Sequence, residues 1–132
     1  MKIAIVILNW NGRKLLEEFL PSVVQHSQLT GVRILVADND STDNSVAFIT
    51  EKYPTIEIIQ NSGNGGFAKG YNDALKAIDA DIYALLNNDV EVSENWLNPI
   101  ISLFREEENT VIIQPKILDY KNKNLFEYAG AG

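Results

Sequence analysis

Four clusters of Asn, Asp and Gly interrupt the apolar segments of this chain, and they group side chains suited to polar chemistry. Asn87-Asn88-Asp89 sets one carboxylate beside two amides. These are hard oxygen donors that suit Mg²⁺ or Mn²⁺, with the remaining positions filled by water and a substrate phosphate. The same tripeptide also suits an Asx-rich turn with Asp89 solvated. Asp38-Asn39-Asp40-Ser41 can pair with a nucleobase edge or ribose hydroxyls, or cap a helix through Ser41 or Asp40. Both hold if Ser41 and Asp43 serve the helix while Asp38 and Asn39 face a ligand. Trp10, within Asn9-Trp10-Asn11-Gly12, can stack on a base, a contact worth about 1–3 kcal/mol. It can equally pack against the following helix, as large aromatics are mostly buried.

Gly63-Asn64-Gly65-Gly66-Phe67-Ala68 fits the spacing G-x-G-x-x-A. The dinucleotide fingerprint of that form belongs to the first strand–helix turn of its fold, whereas this loop follows the third strand. It remains a loop that requires positive φ, or one whose backbone approaches a phosphate or sugar closely. Lys69 beside it is a surface lysine or an added charge. His26, the single histidine, sits at a helix end and reads as a surface residue or a helix C-terminal charge partner. Glu106-Glu107-Glu108 reads as a solvated helix end and Trp96 as core.

Alternating strands and helices must position these clusters. Ile3–Leu8 is a continuous β-branched run, a strand buried on both faces. Leu15, Leu16, Phe19, Leu20, Val23 and Val24 form a helical stripe; Pro21 within it predicts a helix that is kinked or starts late. Arg33–Ala37 is a second strand, followed by N-cap residues 41–44 and a short helix carrying Val46, Ile49 and Tyr53, stopped by Pro54. Ile56–Gln60 is a third strand, and Ala68, Tyr71, Leu75 and Ile78 mark a helix. Ile82–Leu86 is a fourth strand. Ser93 is predicted to cap a helix with Trp96, Leu97, Ile100, Ile101 and Phe104, and Val111–Gln114 to be a fifth strand. This order implies an α/β fold, a mostly parallel sheet flanked by helices. Ligands of such sheets bind at the carboxyl ends of the strands, and every polar cluster follows a strand.

Composition narrows the partners. With 132 residues the chain is one domain on size. Its 45% hydrophobic and 22% charged residues are those of a folded protein. A formal charge of −7 excludes general nucleic-acid binding, which needs clustered cations. The absence of Cys excludes a thiol nucleophile, a disulfide framework and a Cys–zinc site. The apolar run at the N-terminus is too short for a signal peptide, and no window approaches a membrane span.

Taken in order, Asn9-Trp10-Asn11-Gly12, Val36-Ala37-Asp38-Asn39-Asp40-Ser41-Thr42-Asp43, Asn64-Gly65-Gly66-Phe67-Ala68-Lys69-Gly70-Tyr71-Asn72, Leu85-Leu86-Asn87-Asn88-Asp89 and Gln114-Pro115-Lys116-Ile117 resemble the family 2 glycosyltransferases of the GT-A fold, rhamnosyltransferase-like members above all. The resemblance implies that residues 1–132 form one nucleotide-sugar-binding domain. The family transfers a sugar from a nucleotide-diphosphate donor, here a UDP- or dTDP-sugar, to an acceptor hydroxyl with inversion. The acceptor would be a saccharide or lipid-linked saccharide, the setting cell-surface polysaccharide synthesis in the cytoplasm, at the inner membrane face in a full-length enzyme. Asp89 matches the family's metal-touching carboxylate for Mg²⁺ or Mn²⁺. Asn87 takes the first place of that motif, where an Asp is usual, and Asn88 the middle. Asp38 and Asn39 match the base-reading pair, Asn9, Trp10 and Asn11 the base-lining loop, and Asn64, Gly66, Gly70 and Asn72 the donor-side loop and helix start.

An inverting transferase needs a general base for the attacking hydroxyl. None of Glu91, Glu94, Glu106, Glu107, Glu108, Asp119 and Glu127 stands where the family carries one, and Glu127-Tyr128-Ala129-Gly130-Ala131-Gly132 breaks off within the family's pattern. The expectation is an incomplete GT-A fold whose base lies beyond Gly132, binding donor with metal and transferring little. The alternatives are a nucleotidyltransferase or dinucleotide enzyme on a similar sheet, and a non-catalytic nucleotide-binding or interaction module.

Overall fold

The computed structural model of the chain describes residues 1–123 and, for the main chain, residues 126–128. Ala129 to Gly132 and the side chains of Glu127 and Tyr128 lie outside the described residues. The chain divides into two compact units, Met1–Val92 and a second that begins at Ser93.

The first unit alternates β1 (Ile3–Asn9), α1 (Arg13–His26), β2 (Val32–Asp38), α2 (Ser45–Lys52), β3 (Glu57–Gln60), α3 (Phe67–Leu75) and β4 (Ile82–Asn87). Its strands form a parallel sheet in the order β3-β2-β1-β4. β1 is central, and Ile3, Ala4, Ile5, Val6 and Ile7 are all buried, as an uninterrupted apolar run requires when both faces are covered. Ala4 and Val6, with Leu35 and Ala37 of β2, pack against Tyr71, Ala74 and Ile78. Ile3, Ile5 and Ile7 point the other way, toward the side on which right-handed crossovers place α1 and α2. The sheet grows from β1 to β2 to β3, then reverses to β4. That reversal opens a crevice at the carboxyl ends of β1 and β4.

Pro21 neither delays nor breaks α1, which runs unbroken from Arg13. Its ring and Glu17, whose carbonyl it leaves without a donor, belong to residues exposed to solvent, where water can supply the missing bond. α3 ends at Leu75, and Ile78 is buried from a turn beyond it, its N–H bonded to the Leu75 carbonyl. No helix among the described residues is long and apolar enough to cross a membrane.

In the second unit α4 spans Leu97–Glu106, and β5 (Ile117–Leu118) pairs antiparallel with β6 (Phe126–Tyr128). Three expectations are corrected here. Ser93 does not cap α4; its carbonyl closes a turn onto the Trp96 N–H, and Trp96 holds the cap position. Trp96 is half-buried rather than core. Val111–Gln114 forms no strand, and Val111 and Ile112 are 83% and 84% exposed. β-branched residues favour a strand only when a neighbouring strand offers its ladder, and the ladder in this unit forms further on, at Ile117–Leu118.

Candidate functional site

Register brings the polar clusters together. Asn9 pairs with Asp38 across β1 and β2, Asp38 with Gln60 across β2 and β3, and Leu8 with Asn87 across β1 and β4. Asn9, Asp38, Gln60 and Asn88 therefore stand side by side where the strands end.

Asn9 and Asp38 are almost wholly buried there. The Asn9 amide donates to Asp38 Oδ1 at 3.0 Å and to Ser41 Oγ at 3.3 Å. Ser41 gives its hydroxyl to Asp38 Oδ1 at 2.7 Å and its N–H to Oδ2 at 2.9 Å, and Gln60 Nε2 adds a further donor to Oδ2 at 3.1 Å. Burial pushes the Asp38 carboxyl up, but the donors on Ser41, Asn9 and Gln60 outweigh it and hold the group below the usual carboxylate range. Both Asp38 oxygens are thus spent on the protein itself.

Asn39, also buried, faces the other way. Its amide nitrogen donates to Asn64 Oδ1 and to the Gly66 carbonyl, both at 3.3 Å, and its Oδ1 accepts from Asn61 at 2.7 Å. Asn39 thereby fixes the glycine loop that starts α3. Asn64 closes that loop by accepting the Gly66 N–H at 3.2 Å. Gly66 has φ +92° and ψ −176°, a region open to glycine almost alone. Gly70 lies against Leu8 and Asn39; a Cβ there would come within 2.7 Å of Leu8 and 2.8 Å of Asn39. Asn11, at φ +50°, turns its Oδ1 to the N–H groups of Thr42 and Asp43 at 2.7 and 3.1 Å. It secures the start of α2 and takes no part in the cleft wall.

A cleft of about 330 Å³ opens between these groups, in the size range of small-ligand sites. Leu8, Asn39, Asn64 and Gly66 line one part, and Asn87, Asn88 and Asp89 another, with Trp10 and Phe67 completing the wall. Trp10 is 54% and Phe67 61% exposed, so neither ring is buried in the core. Asn72 is exposed on α3 outside the cleft. Lys69 is held by Asp73 at 2.5 Å and is also outside. Asp89 is exposed and, among the described residues, is the only carboxylate lining the cleft. No group of three His, Cys, Asp or Glu that could hold a metal exists among the described residues. One carboxylate with the Asn87 amide cannot enclose a cation, but this donor set fits a cation that takes its other oxygens from a ligand's phosphates.

Four residues have supporting roles that the sequence did not reveal. Ser41 and Gln60 complete the Asp38 cluster. Tyr71, whose hydroxyl donates to the Leu86 carbonyl at 2.5 Å, ties α3 to the residue before Asn87; burial pushes its phenol up to about 12, with the Leu8 backbone pulling down. Phe67 was visible as an aromatic at a helix start; its ring meets that of Tyr71 edge to face at 4.9 Å and leaves its other side open to the cleft.

Comparison with known proteins agrees with this arrangement. The family model described as Glycosyl transferase family 2 matches residues 4–130. Among curated proteins, the chain is 26% identical over 125 residues to the probable polypeptide N-acetylgalactosaminyltransferase 8 of Homo sapiens, covering 87% of this chain. It is 26% identical over 118 residues to the poly(ribitol-phosphate) beta-glucosyltransferase of Bacillus spizizenii, covering 86%. It spans 19% of the length of each. Among solved structures it resembles residues 1–349 of S. aureus TarS with a TM-score of 0.72 at 21% identity, over 89% of this chain and 40% of that one; TarS is also known with UDP-GlcNAc. The mannosyltransferase PcManGT of Pyrobaculum calidifontis, solved with GDP-Man and Mn²⁺, gives a TM-score of 0.67 at 20% identity, over 76% of this chain and 31% of that one. The fold shared with them is the GT-A arrangement.

Proposed function

This chain belongs to glycosyl transferase family 2, and we propose that its cleft holds the nucleoside diphosphate of a UDP- or dTDP-sugar. The sugar would pass, with inversion, to a hydroxyl of a saccharide or lipid-linked saccharide in cell-surface polysaccharide synthesis, on the cytoplasmic side of a membrane. The observation that carries this reading is the convergence of exposed Trp10, buried Asn39 and the single carboxylate Asp89 on one cleft at the strand ends. The face of Trp10 suits a base. Among the described residues Asn39 Oδ1 accepts from Asn61 alone, which leaves it one lone pair; that acceptor matches the N3–H of uracil or thymine. The start of α3 has no side-chain cap, so its first N–H groups are left for a phosphate. Asp89 and Asn87 would hold Mg²⁺ or Mn²⁺ together with the diphosphate. Such a cation neutralises the charge that builds on the leaving diphosphate. The neighbours solved with UDP-GlcNAc and with GDP-Man and Mn²⁺ support this choice of ligand.

With Asp89 committed to the cation, the described residues lining the cleft include no second carboxylate as general base. We therefore assign these 132 residues donor binding and little transfer by themselves. Titration calorimetry with UDP, dTDP and NAD, each with and without Mn²⁺, tests the reading. UDP or dTDP should bind, Mn²⁺ should tighten it, and Asp89→Ala should abolish that gain. Binding of NAD alone would indicate a dinucleotide enzyme. No nucleotide binding, with a silent Asp89→Ala, would leave an interaction module.

A further inference from the structure

The buried amide of Asn9 joins two parts of the cleft that are distant in sequence. Its nitrogen donates to Asp38 Oδ1 at 3.0 Å, and its Oδ1 accepts from Asn88 Nδ2 at 3.1 Å. The orientation is fixed from both ends. Turned over, the amide would set oxygen against the Asp38 carboxylate and nitrogen against the Asn88 NH₂, two contacts with no shared hydrogen. Asn9 is 0% exposed, so water cannot take either partner's place. Gly12 closes over the pair. A Cβ at position 12 would stand 2.2 Å from Asn88 Nδ2 and 2.5 Å from Asn9 Oδ1. Both of those atoms belong to the hydrogen bond itself. The missing side chain at Gly12, which is not in the left-handed region, is what allows the bond to form.

Asn88 lies between Asn87 and Asp89, both of which line the cleft. Asp89 is exposed and belongs to an edge strand's terminal loop. Directly beside Asp89, the Asn88 side chain adds a side-chain anchor on central β1 to the backbone pairing of Asn87 with Leu8. We propose that Asn9 and Asn88, fitted together beneath Gly12, are positioning residues that aim the Asp89 carboxylate at the cation accompanying a bound nucleoside diphosphate. This rests on the donor-site reading above. Partners that orient a metal ligand typically govern affinity for the metal by about 10–100-fold, so the signature is a loss of metal-linked affinity in a protein that still folds.

The test compares Asn88→Ala and Gly12→Ala with the wild type; they break the same bond from opposite sides. Calorimetry gives the ratio of UDP and dTDP affinities with and without Mn²⁺. NMR gives the paramagnetic broadening of the Asp89 amide when Mn²⁺ and nucleotide are both present. In each variant the ratio should fall about tenfold and the Asp89 broadening should weaken. If Gly12→Ala does not fold, Asn88→Ala decides, because its side chain is partly exposed and its removal introduces no clash. A cooperatively melting Asn88→Ala that retains both the ratio and the broadening overturns this inference and leaves the donor site standing. A wild type with no nucleotide binding or no Mn²⁺ gain overturns both.

Discussion

At the scale of single residues, the same residue types divide into those that build the site and those that face a ligand. Asp38 shows the first case. A carboxylate after a strand looks like a ligand contact, yet both its oxygens are occupied by Ser41, Asn9 and Gln60. Removing its charge should cost stability. Asp38→Asn exchanges an acceptor oxygen for an NH₂ that faces donors, a loss of about 2 kcal/mol for a buried network, read from urea denaturation at pH 7. The folded pKa of Asp38 is lowered, while the unfolded value is about 3.9. Its stabilisation is therefore complete above that value and is lost as pH falls through the folded one. The gap between wild type and variant should close in denaturation series taken below about pH 4. Trp10 shows the second case. More than half exposed, it adds little to the core, so Trp10→Ala should leave the melting temperature nearly unchanged while weakening UDP or dTDP binding by about 1–3 kcal/mol. Calorimetry and a melting curve on the same sample separate the two effects. Residue types alone could not make this division. Burial and partners depend on strand register, which sequence specifies only through contacts between distant segments.

At the scale of elements, the four strands of the parallel sheet and the three helices between them were legible, because each carries its own apolar period between turn residues. Strand ends were legible to within a residue, since Asn9, Asp38 and Asn87 each close an apolar run. Val111–Gln114 misled for the opposite reason: its side chains favour a strand, but pairing is supplied by another segment. Pro21 misled only as to where α1 starts, because its cost depends on whether the freed carbonyl can meet water. The loop before α3 carries a prediction at this scale. Gly66 has nothing within 4 Å of a Cβ, but its φ is +92°, so Gly66→Ala meets backbone strain alone, about 2 kcal/mol. Gly63 also has open space and no positive φ, and Gly63→Ala should change stability by less than about 0.5 kcal/mol. Thermal or urea melts of the pair show whether the loop's conformation, rather than its room, requires glycine. Equal effects of the two substitutions would contradict it.

At the scale of the whole molecule, charge decides how the cleft can meet its ligand. The protein carries a formal −7, and among the described residues no Lys or Arg lines the cleft; Lys69 beside it is already paired with Asp73. A nucleoside diphosphate entering without a cation meets repulsion from the protein's field and from Asp89. A divalent cation reverses the sign, since it is attracted both to the diphosphate and to the acidic protein. Salt screens both interactions, so it should act in opposite directions on the two forms of the complex. Raising NaCl should strengthen metal-free UDP or dTDP binding by about twofold, as screening weakens a repulsion between exposed charges. It should weaken binding in the presence of Mn²⁺ by a similar or larger factor, as screening weakens an attraction. Calorimetric titrations at low and moderate NaCl, with and without Mn²⁺, read both slopes from one protein preparation. Two slopes of the same sign would mean that the diphosphate finds its counter-charge on a cationic side chain, and that Asp89 with its cation is not what holds it.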